Sequence, residues 1–190
     1  MRKIVLCMHV TLDGFVGGLG GEMDCFHVDE EIFKIAGELT DEADTALYGR
    51  VTYDLMDNYW PDAGSKPGAS SHDIQHSEWY NRVQKVVVSR SLKGENIVRT
   101  EIVSENITGR IEELKKENGK NILIFGSPSV CHILMEHELI DEYWLFVNPV
   151  LLGKGIPLFK NIEKRTRLKY LNSITYSSGV VCLQYGIQTK

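Results

Sequence analysis

The chain has 190 residues, of which 43% are hydrophobic and 25% charged, and its formal net charge is -5. This balance is typical of a globular domain with a sizeable core, and we expect a single domain over residues 1–190. No basic stretch suits a nucleic-acid backbone, and no apolar run reaches the roughly 18 residues of a membrane span. No secretory signal is visible either, so we expect a cytoplasmic location without nucleic-acid or membrane partners.

The cysteines are widely spaced, and no two of them form a C-x-x-C pair. They are Cys7, Cys25, Cys131 and Cys182. This spacing does not match a zinc site, and no metal is expected. In a reducing compartment the four residues are expected to be free thiols, buried or partly buried.

The first half of the chain alternates apolar strands with amphipathic helices. The predicted elements are a strand over 3–10, a turn and glycine-rich loop over 11–21, a helix over 29–39, a strand over 45–48, a helix from Arg50 and a surface loop over 59–77. The loop is assigned because Pro, Gly, Ser and Asp are frequent there. His72 and His76 lie in it and are expected to be exposed to solvent.

The second half continues the alternation and ends in strands. The predicted elements are a strand over 85–89, a helix over 107–117, a strand over 121–125, a helix from Ser127–Pro128 to about Glu138, a strand over 142–147 and antiparallel strands within 168–187 that turn at 177–179. This order predicts an α/β fold, a three-layer α/β/α arrangement with a mostly parallel central sheet and an antiparallel C-terminal edge.

Three predicted strand ends combine a small residue with the start of a helix or a loop. They are Gly49-Arg50-Val51-Thr52, Ser89-Arg90-Ser91 and Gly126-Ser127-Pro128-Ser129. Backbone N–H groups at a helix N-terminus bind phosphate, and a guanidinium group can bind a phosphate monoester through two hydrogen bonds. These strand ends indicate a dinucleotide site, although neither a G-x-G-x-x-G fingerprint nor a P-loop is present.

The same positions carry a family resemblance. The motifs are Gly49-Arg50-Val51-Thr52-Tyr53, Val87-Val88-Ser89-Arg90-Ser91, Ile124-Phe125-Gly126-Ser127, Thr11-Leu12-Asp13-Gly14 and Pro149-Val150-Leu151-Leu152-Gly153-Lys154-Gly155-Ile156-Pro157-Leu158-Phe159. Together they resemble the dihydrofolate reductase-like family, and the last two resemble the reductase domain of bacterial riboflavin biosynthesis, the RibD C-terminal domain.

The resemblance implies an NADPH-dependent reductase with a dihydrofolate reductase-like fold, and a homodimer. It assigns cofactor binding to Gly49, Arg50, Thr52, Ser89, Arg90, Gly126, Ser127 and Ser129. Arg50, Ser89 and Arg90 would lie near the 2′-phosphate, and residues 126–129 near the pyrophosphate. Ser127 replaces the family's second glycine, whose preceding peptide bond is typically cis in dihydrofolate reductases, so either a trans bond or a supported cis bond is expected.

On the substrate side the resemblance points to Asp13 and Asp29, and Lys154 departs from it at a position where a third glycine is common. Asp13 is the candidate for contacting the substrate and for catalysis. Asp29 matches the proton-donating acid of dihydrofolate reductases, but it can equally complement the dipole of the first helix. Lys154 can reach a substrate phosphate or remain solvated. His27 is either a site residue or an ordinary loop residue.

Three functions remain open from the sequence. The first is reduction of a ribosylamino-pyrimidine, most like 5-amino-6-(5-phosphoribosylamino)uracil reductase, and the second is dihydrofolate reduction. The third, of another class, is nucleotide binding without catalysis. The zinc deaminase signature H-x-E…P-C-x-x-C is absent from the chain, so deamination is not expected.

Overall fold

The computed structural model describes residues 1–92 and 97–188 of the chain. Its strands are β1 (Ile4–Thr11), β2 (Ala43–Gly49), β3 (Gln84–Val88), β4 (Thr100–Val103), β5 (Asn121–Phe125), β6 (Glu142–Asn148), β7 (Leu168–Thr175) and β8 (Val181–Ile187). Its helices are α1 (Glu30–Asp41), α2 (Arg50–Ala63), α3 (Ser71–Arg82), α4 (Ile107–Lys116) and α5 (Pro128–Glu136).

The described strands form an eight-stranded sheet in the order β4-β3-β2-β5-β1-β6-β8-β7. Strand β2 pairs in parallel with β3 and β5, β3 with β4, and β1 with β6. Strand β8 is antiparallel to both β6 and β7. The predicted α/β class, with a mostly parallel sheet and an antiparallel C-terminal edge, is therefore confirmed.

The chain forms two compact units. The first contains Met1–Arg2 and Asp29–Leu123, and the second contains Lys3–Val28 and Ile124–Lys190, so the division falls inside β5. The expectation of one domain over residues 1–190 stays a prediction. No helix in the described part of the chain is long and apolar enough to cross a membrane.

In the first unit, α3 packs against α1 and α2, and both α1 and α2 pack against β2. Trp79 of α3 is buried, and its indole N–H donates a hydrogen bond to the Ala43 carbonyl at 3.1 Å. Burying this large ring while satisfying its one donor anchors α3 to the sheet. Strand β4 was not assigned from the sequence, because four residues of mixed polarity carry too little periodicity.

The predicted surface loop over 59–77 is wrong for most of its length. Helix α2 continues to Ala63 with Pro61 inside it, and α3 begins at Ser71. The Ser70 hydroxyl accepts from the Asp73 N–H and the Asp73 carboxylate accepts from the Ser70 N–H, which forms a capping box. Composition suggested a loop, but this reciprocal cap starts a helix within it.

The expectation that both histidines of this segment are exposed is also wrong. His76 is buried, with its ring centroid 3.9 Å from that of Trp60, and His72 is half-buried and stacked on Phe33 at 3.9 Å. Burial lowers the pKa of His76 to about 3 and lowers the pKa of His72.

In the second unit, β7 and β8 form the predicted hairpin. The Tyr176 N–H donates to the Val180 carbonyl at 2.9 Å, and Gly179 takes a φ of +84° in the turn. Such a φ favours glycine, which explains why the turn falls there. All four cysteines are free thiols, as expected, and all are buried except Cys25, which is partly exposed.

Candidate active site

Two of the predicted strand ends lie at one edge of the sheet in the first unit. Gly49, the last residue of β2, is the register partner of Val88, the last residue of β3. The N-terminus of α2 and the loop from Ser89 therefore start side by side at the carboxyl ends of parallel strands. Ligands of open α/β sheets bind at this position.

The N-terminus of α2 presents a weakly held cation. Gly49 is the N-cap residue in an extended conformation, and Thr52 lies half-buried in the first turn. The Arg50 guanidinium donates to Asp54 at 2.8 Å, with both side chains nearly half exposed. An exposed i,i+4 pair stabilises a helix by only about 0.3–0.5 kcal/mol, so a phosphate can replace Asp54 as the partner of Arg50.

At the end of β3, the two predicted residues have different surroundings. Ser89 is buried, and its hydroxyl oxygen accepts from the N–H groups of Ser91 at 3.2 Å and Leu92 at 2.8 Å. It therefore shapes the turn and keeps only its own proton to donate. Arg90 is exposed and borders a shallow depression that is also lined by Ser104, Glu105 and Asn106.

The third strand end lies in the second unit, at the start of α5. The Gly126–Ser127 peptide bond is trans, and the two residues have φ values of +86° and +67°. Ser127 is buried and is the N-cap residue, and its carbonyl accepts from Val130 and Cys131. A left-handed φ favours glycine, so Ser127 is held in a conformation that is costly for a residue with a Cβ atom. Ser129 is exposed in the first turn.

Asp13 connects two loops of the second unit, which we call the paired loops (residues 11–17 and 149–158). Its carboxylate accepts from the N–H groups of Leu152 at 3.1 Å and Gly153 at 2.7 Å, and from the Thr11 hydroxyl at 2.6 Å. The hydrogen bonds from Thr11 and Gly153 lower the pKa of Asp13. The carboxylate is thus an ionised acceptor at neutral pH, and its catalytic role stays a prediction.

Backbone hydrogen bonds hold the paired loops together. The Val16 N–H donates to Ile156 at 2.8 Å, and the Ile156 N–H donates to Gly17 at 2.9 Å. A Cβ atom at Gly155 would overlap the Gly17 carbonyl oxygen, so the backbones approach more closely there than a side chain permits. Lys154 lies between these contacts with its side chain exposed, and its predicted contact with a substrate phosphate stays a prediction.

Asp29 lies at the start of the first helix, where it can complement the helix dipole as the alternative to proton donation predicted. It is the N-cap residue of α1, and its carboxylate accepts from the Ile32 N–H at 2.9 Å. Glu30 and Glu31 follow in the first turn, where acids complement the helix dipole. Its proposed role as a proton donor stays a prediction.

Sequence reasoning missed a cluster around His9 in the second unit. His9 stacks on Phe146, lies 5.7 Å from Phe26 and faces Asn148, a fully buried residue at the end of β6. Burial, with a smaller effect of His27, lowers the pKa of His9 to about 4. The signal in the sequence was a polar side chain near the carboxyl end of an otherwise apolar strand.

Fold and strand ends together define an α/β protein of the dihydrofolate reductase-like fold, with cationic groups at the carboxyl ends of parallel strands. Residues 2–182 match the family model of the RibD C-terminal domain. The chain belongs to the RibD C-terminal domain family, as the sequence motifs predicted.

Known proteins agree with this assignment. The uncharacterized protein YyaP of Bacillus subtilis (strain 168) is 35% identical over 186 residues, which cover 97% of this chain and 94% of that protein. A pyrimidine reductase-like protein from Corynebacterium diphtheriae has a TM-score of 0.71 at 16% identity, with 100% of this chain and 93% of that chain covered.

A second solved structure is longer than this chain. It is a diaminohydroxyphosphoribosylaminopyrimidine deaminase/5-amino-6-(5-phosphoribosylamino)uracil reductase from Thermotoga maritima, with a TM-score of 0.68 at 17% identity. The match covers 98% of this chain but 57% of that one. At such identities the two solved structures show the fold that the chain shares with them.

Proposed function

We propose that the chain is an NADPH-dependent reductase that transfers a hydride to a pyrimidine- or pterin-like heterocycle. The reaction is most like that of 5-amino-6-(5-phosphoribosylamino)uracil reductase. The observation that carries the proposal is the register of β2 and β3, which starts the Arg50 helix and the Ser89–Arg90 loop at one sheet edge. Membership of the RibD C-terminal domain family supports it.

The residues of this edge suit the adenosine end of NADPH. The exposed guanidinium of Arg50 can exchange its carboxylate partner for the 2′-phosphate, and Ser89 retains a hydroxyl proton to donate. Arg90 adds a second exposed cation. A 2′-phosphate bound in this way favours NADPH over NADH. The assignment of Gly126, Ser127 and Ser129 to the pyrophosphate remains part of the proposal.

The residues of the second unit have a different task. Bound NADPH supplies the hydride, so the protein needs no nucleophile and must instead orient the acceptor and exclude water. The ionised Asp13 fixes the paired loops through the N–H groups of Leu152 and Gly153. We assign it a positioning role, and Lys154, exposed on the same loops, is the candidate for a substrate phosphate.

Separate titrations with NADPH and NADH, followed by fluorescence, test the cofactor. We expect NADPH to bind well below millimolar concentration and NADH more weakly. Oxidation of NADPH with 5-amino-6-(5-phosphoribosylamino)uracil as acceptor then tests the reaction. It is followed as the loss of absorbance at the maximum of NADPH. Failure of both nucleotides to bind would refute the proposal, whereas binding without oxidation would favour the non-catalytic nucleotide-binding alternative.

Dihydrofolate reduction is the second candidate, because Asp29 matches the family's proton-donating acid. Asn is as good an N-cap residue as Asp, so Asp29→Asn should leave the stability of α1 nearly unchanged. A sharp loss of dihydrofolate reduction in that variant would therefore identify Asp29 as the proton donor. An unchanged rate would leave Asp29 with capping alone.

A homodimer also forms part of the proposal. Strand β7 ends the strand order, and its Leu168, Tyr170 and Leu171 side chains are exposed. An exposed apolar edge strand is a site for pairing with a second copy. Light scattering after gel filtration should give twice the mass of one chain, and Leu171→Lys should reduce it to one. A wild type with the mass of a single chain would contradict the proposed homodimer.

A further inference from the structure

His9 lies two residues before the end of β1, at the carboxyl edge of the strand. Phe146 of β6 is its register partner, and the two rings stack with centroids 5.0 Å apart and 17° between their planes. The Phe26 ring lies 5.7 Å away, and the imidazole remains partly exposed. Small-molecule sites are lined mostly by apolar and aromatic side chains with a few polar groups among them, and His9 is a polar group beside two aromatic rings.

Asn148 determines which nitrogen of His9 carries the proton. Its Oδ1 accepts from the His27 N–H at 2.9 Å, and its Nδ2 donates to the Phe146 carbonyl at 3.0 Å. The same Nδ2 lies 3.3 Å from Nδ1 of His9. Because an amide nitrogen can only donate, Nδ1 must be the acceptor and Nε2 must carry the proton.

The imidazole is held neutral as well as oriented. Burial and His27 place the pKa of His9 at about 4. Protonation would also place an N–H on Nδ1 opposite the N–H of Asn148. The hydrogen bond of the His9 ring is made at Nδ1, and the side chain is partly exposed. The structure therefore presents a single neutral N–H donor beside two phenyl rings.

We propose that His9 is a specificity-determining residue, whose Nε2–H donates to a ring carbonyl of a pyrimidinedione bound at the carboxyl ends of β1 and β6. A donor in this position selects a carbonyl oxygen and disfavours an amino group, which would bring two donors together. Because the donor is neutral, an uncharged carbonyl compound is a suitable partner for it. The proposal rests on the proposed function, which supplies the pyrimidinedione as the substrate class, whereas the choice of a carbonyl oxygen rests on the donor of His9.

Two stable probes test this selection by isothermal titration of the full chain. 6-Aminouracil carries two ring carbonyls, and 2,4,6-triaminopyrimidine carries amino groups in their place. We expect the wild type to bind 6-aminouracil at least about tenfold more tightly, the usual effect of one hydrogen bond. Equal affinities, or no binding of 6-aminouracil at millimolar concentration, would overturn the proposal.

Variants of His9 distinguish the effect of its N–H donor from the effect of its aromatic ring. His9→Phe keeps a ring on Phe146 but removes the donor, and should lose about tenfold in affinity for 6-aminouracil. His9→Gln places an amide N–H near the position of Nε2 and should recover part of the loss. His137→Phe, at an exposed position after α5, is the matched control and should bind as the wild type does.

A measurement on the wild type covers the case in which His9→Phe does not fold. Long-range ¹H–¹⁵N spectra should show Nδ1 unprotonated and Nε2 protonated at neutral pH, and the Nε2 signal should shift when 6-aminouracil is added. The opposite tautomer, or an Nε2 signal that does not respond, would overturn the proposal.

The proposed function fails independently of this result. If 6-aminouracil binds through His9 but NADPH does not bind, the reductase assignment is wrong and the pyrimidinedione site remains. If NADPH binds but His9→Phe keeps full affinity for 6-aminouracil, the role of His9 is wrong and the reductase assignment remains.

Discussion

The candidate groups of the two units are built in different ways. In the first unit, Arg50 and Arg90 are exposed cations that begin a helix and a loop directly after two strands. In the second, Asp13, Asn148 and His9 act through contacts between residues about 120 to 140 positions apart in the chain. We therefore expect a substitution at Arg50 or Arg90 to affect only the contact of that side chain. The geometry around Asp13 and His9 depends instead on close packing of distant backbone segments.

The largest effect is expected where the paired loops approach most closely. In Gly155→Ala, the new Cβ would overlap the Gly17 carbonyl oxygen, which already accepts from Ile156. Backbone must move, and we expect a loss of about 3 kcal/mol in the free energy of unfolding, the upper range for overpacking. Urea denaturation followed by circular dichroism measures it.

Gly153→Ala is the matched control for that variant. Gly153 has a φ of +74°, and a Cβ there would meet open space. The left-handed conformation alone should cost about 1–2 kcal/mol. An equal or greater loss in Gly153→Ala would show that backbone conformation, and not close approach of the loops, governs this region.

A buried histidine makes the stability of the first unit depend on pH. His76 has its pKa lowered to about 3, so the unfolded chain binds its proton more readily than the native state does. The stability contributed by the neutral ring is full above the ordinary histidine pKa of about 6.5 and is lost as the pH falls towards the native value.

Between pH 7 and pH 5, this linkage should cost the wild type about 2 kcal/mol from His76. His72 and His9 act in the same direction. His76→Phe keeps a ring beside Trp60 and should lose about 2 kcal/mol less than the wild type does between pH 7 and pH 5. Urea denaturation at both pH values measures the free energy of unfolding. The control His137→Phe should show the pH dependence of the wild type, and the same pH dependence in His76→Phe would show that His76 is not its source.

The third prediction tests the exposed cation of the first unit. Arg50→Ala should weaken NADPH about tenfold and leave NADH nearly unchanged, because the lost contact is to the extra phosphate. Asp54→Ala removes the present partner of Arg50 and should leave NADPH affinity equal or slightly higher. Fluorescence titration of both nucleotides measures these changes, and equal losses for NADPH and NADH would exclude Arg50 from the 2′-phosphate.

The same contrast explains what the sequence could predict. Apolar runs and the glycine residues beside them predicted strands β1, β2 and β5 and the start of α2. Arg50 and Ser89 were identified because each follows directly after a strand. The tautomer of His9 and the acceptor role of Asp13 arise from long-range hydrogen bonds, which no local pattern encodes. Helix α3 was missed because its buried face includes His76 and Ser77, so its apolar periodicity is weak.

The smallest effect is expected at Asp13, because asparagine retains one acceptor oxygen. Asp13→Asn should keep one of the contacts to Leu152 and Gly153 and lower kcat/KM only a few-fold, whereas Asp13→Ala should lower it further. The carboxylate has a lowered pKa, so its contribution is present above the ordinary aspartate pKa and is lost as the pH falls through the native value.

The melting temperatures of the wild type and Asp13→Asn should therefore differ at neutral pH and converge in acid. A kcat/KM near zero in Asp13→Asn, with an unchanged melting temperature, would instead make Asp13 a catalytic residue. That outcome would place a reacting group on the paired loops of the second unit, where the contacts of Asp13 with Leu152 and Gly153 assign it a positioning role.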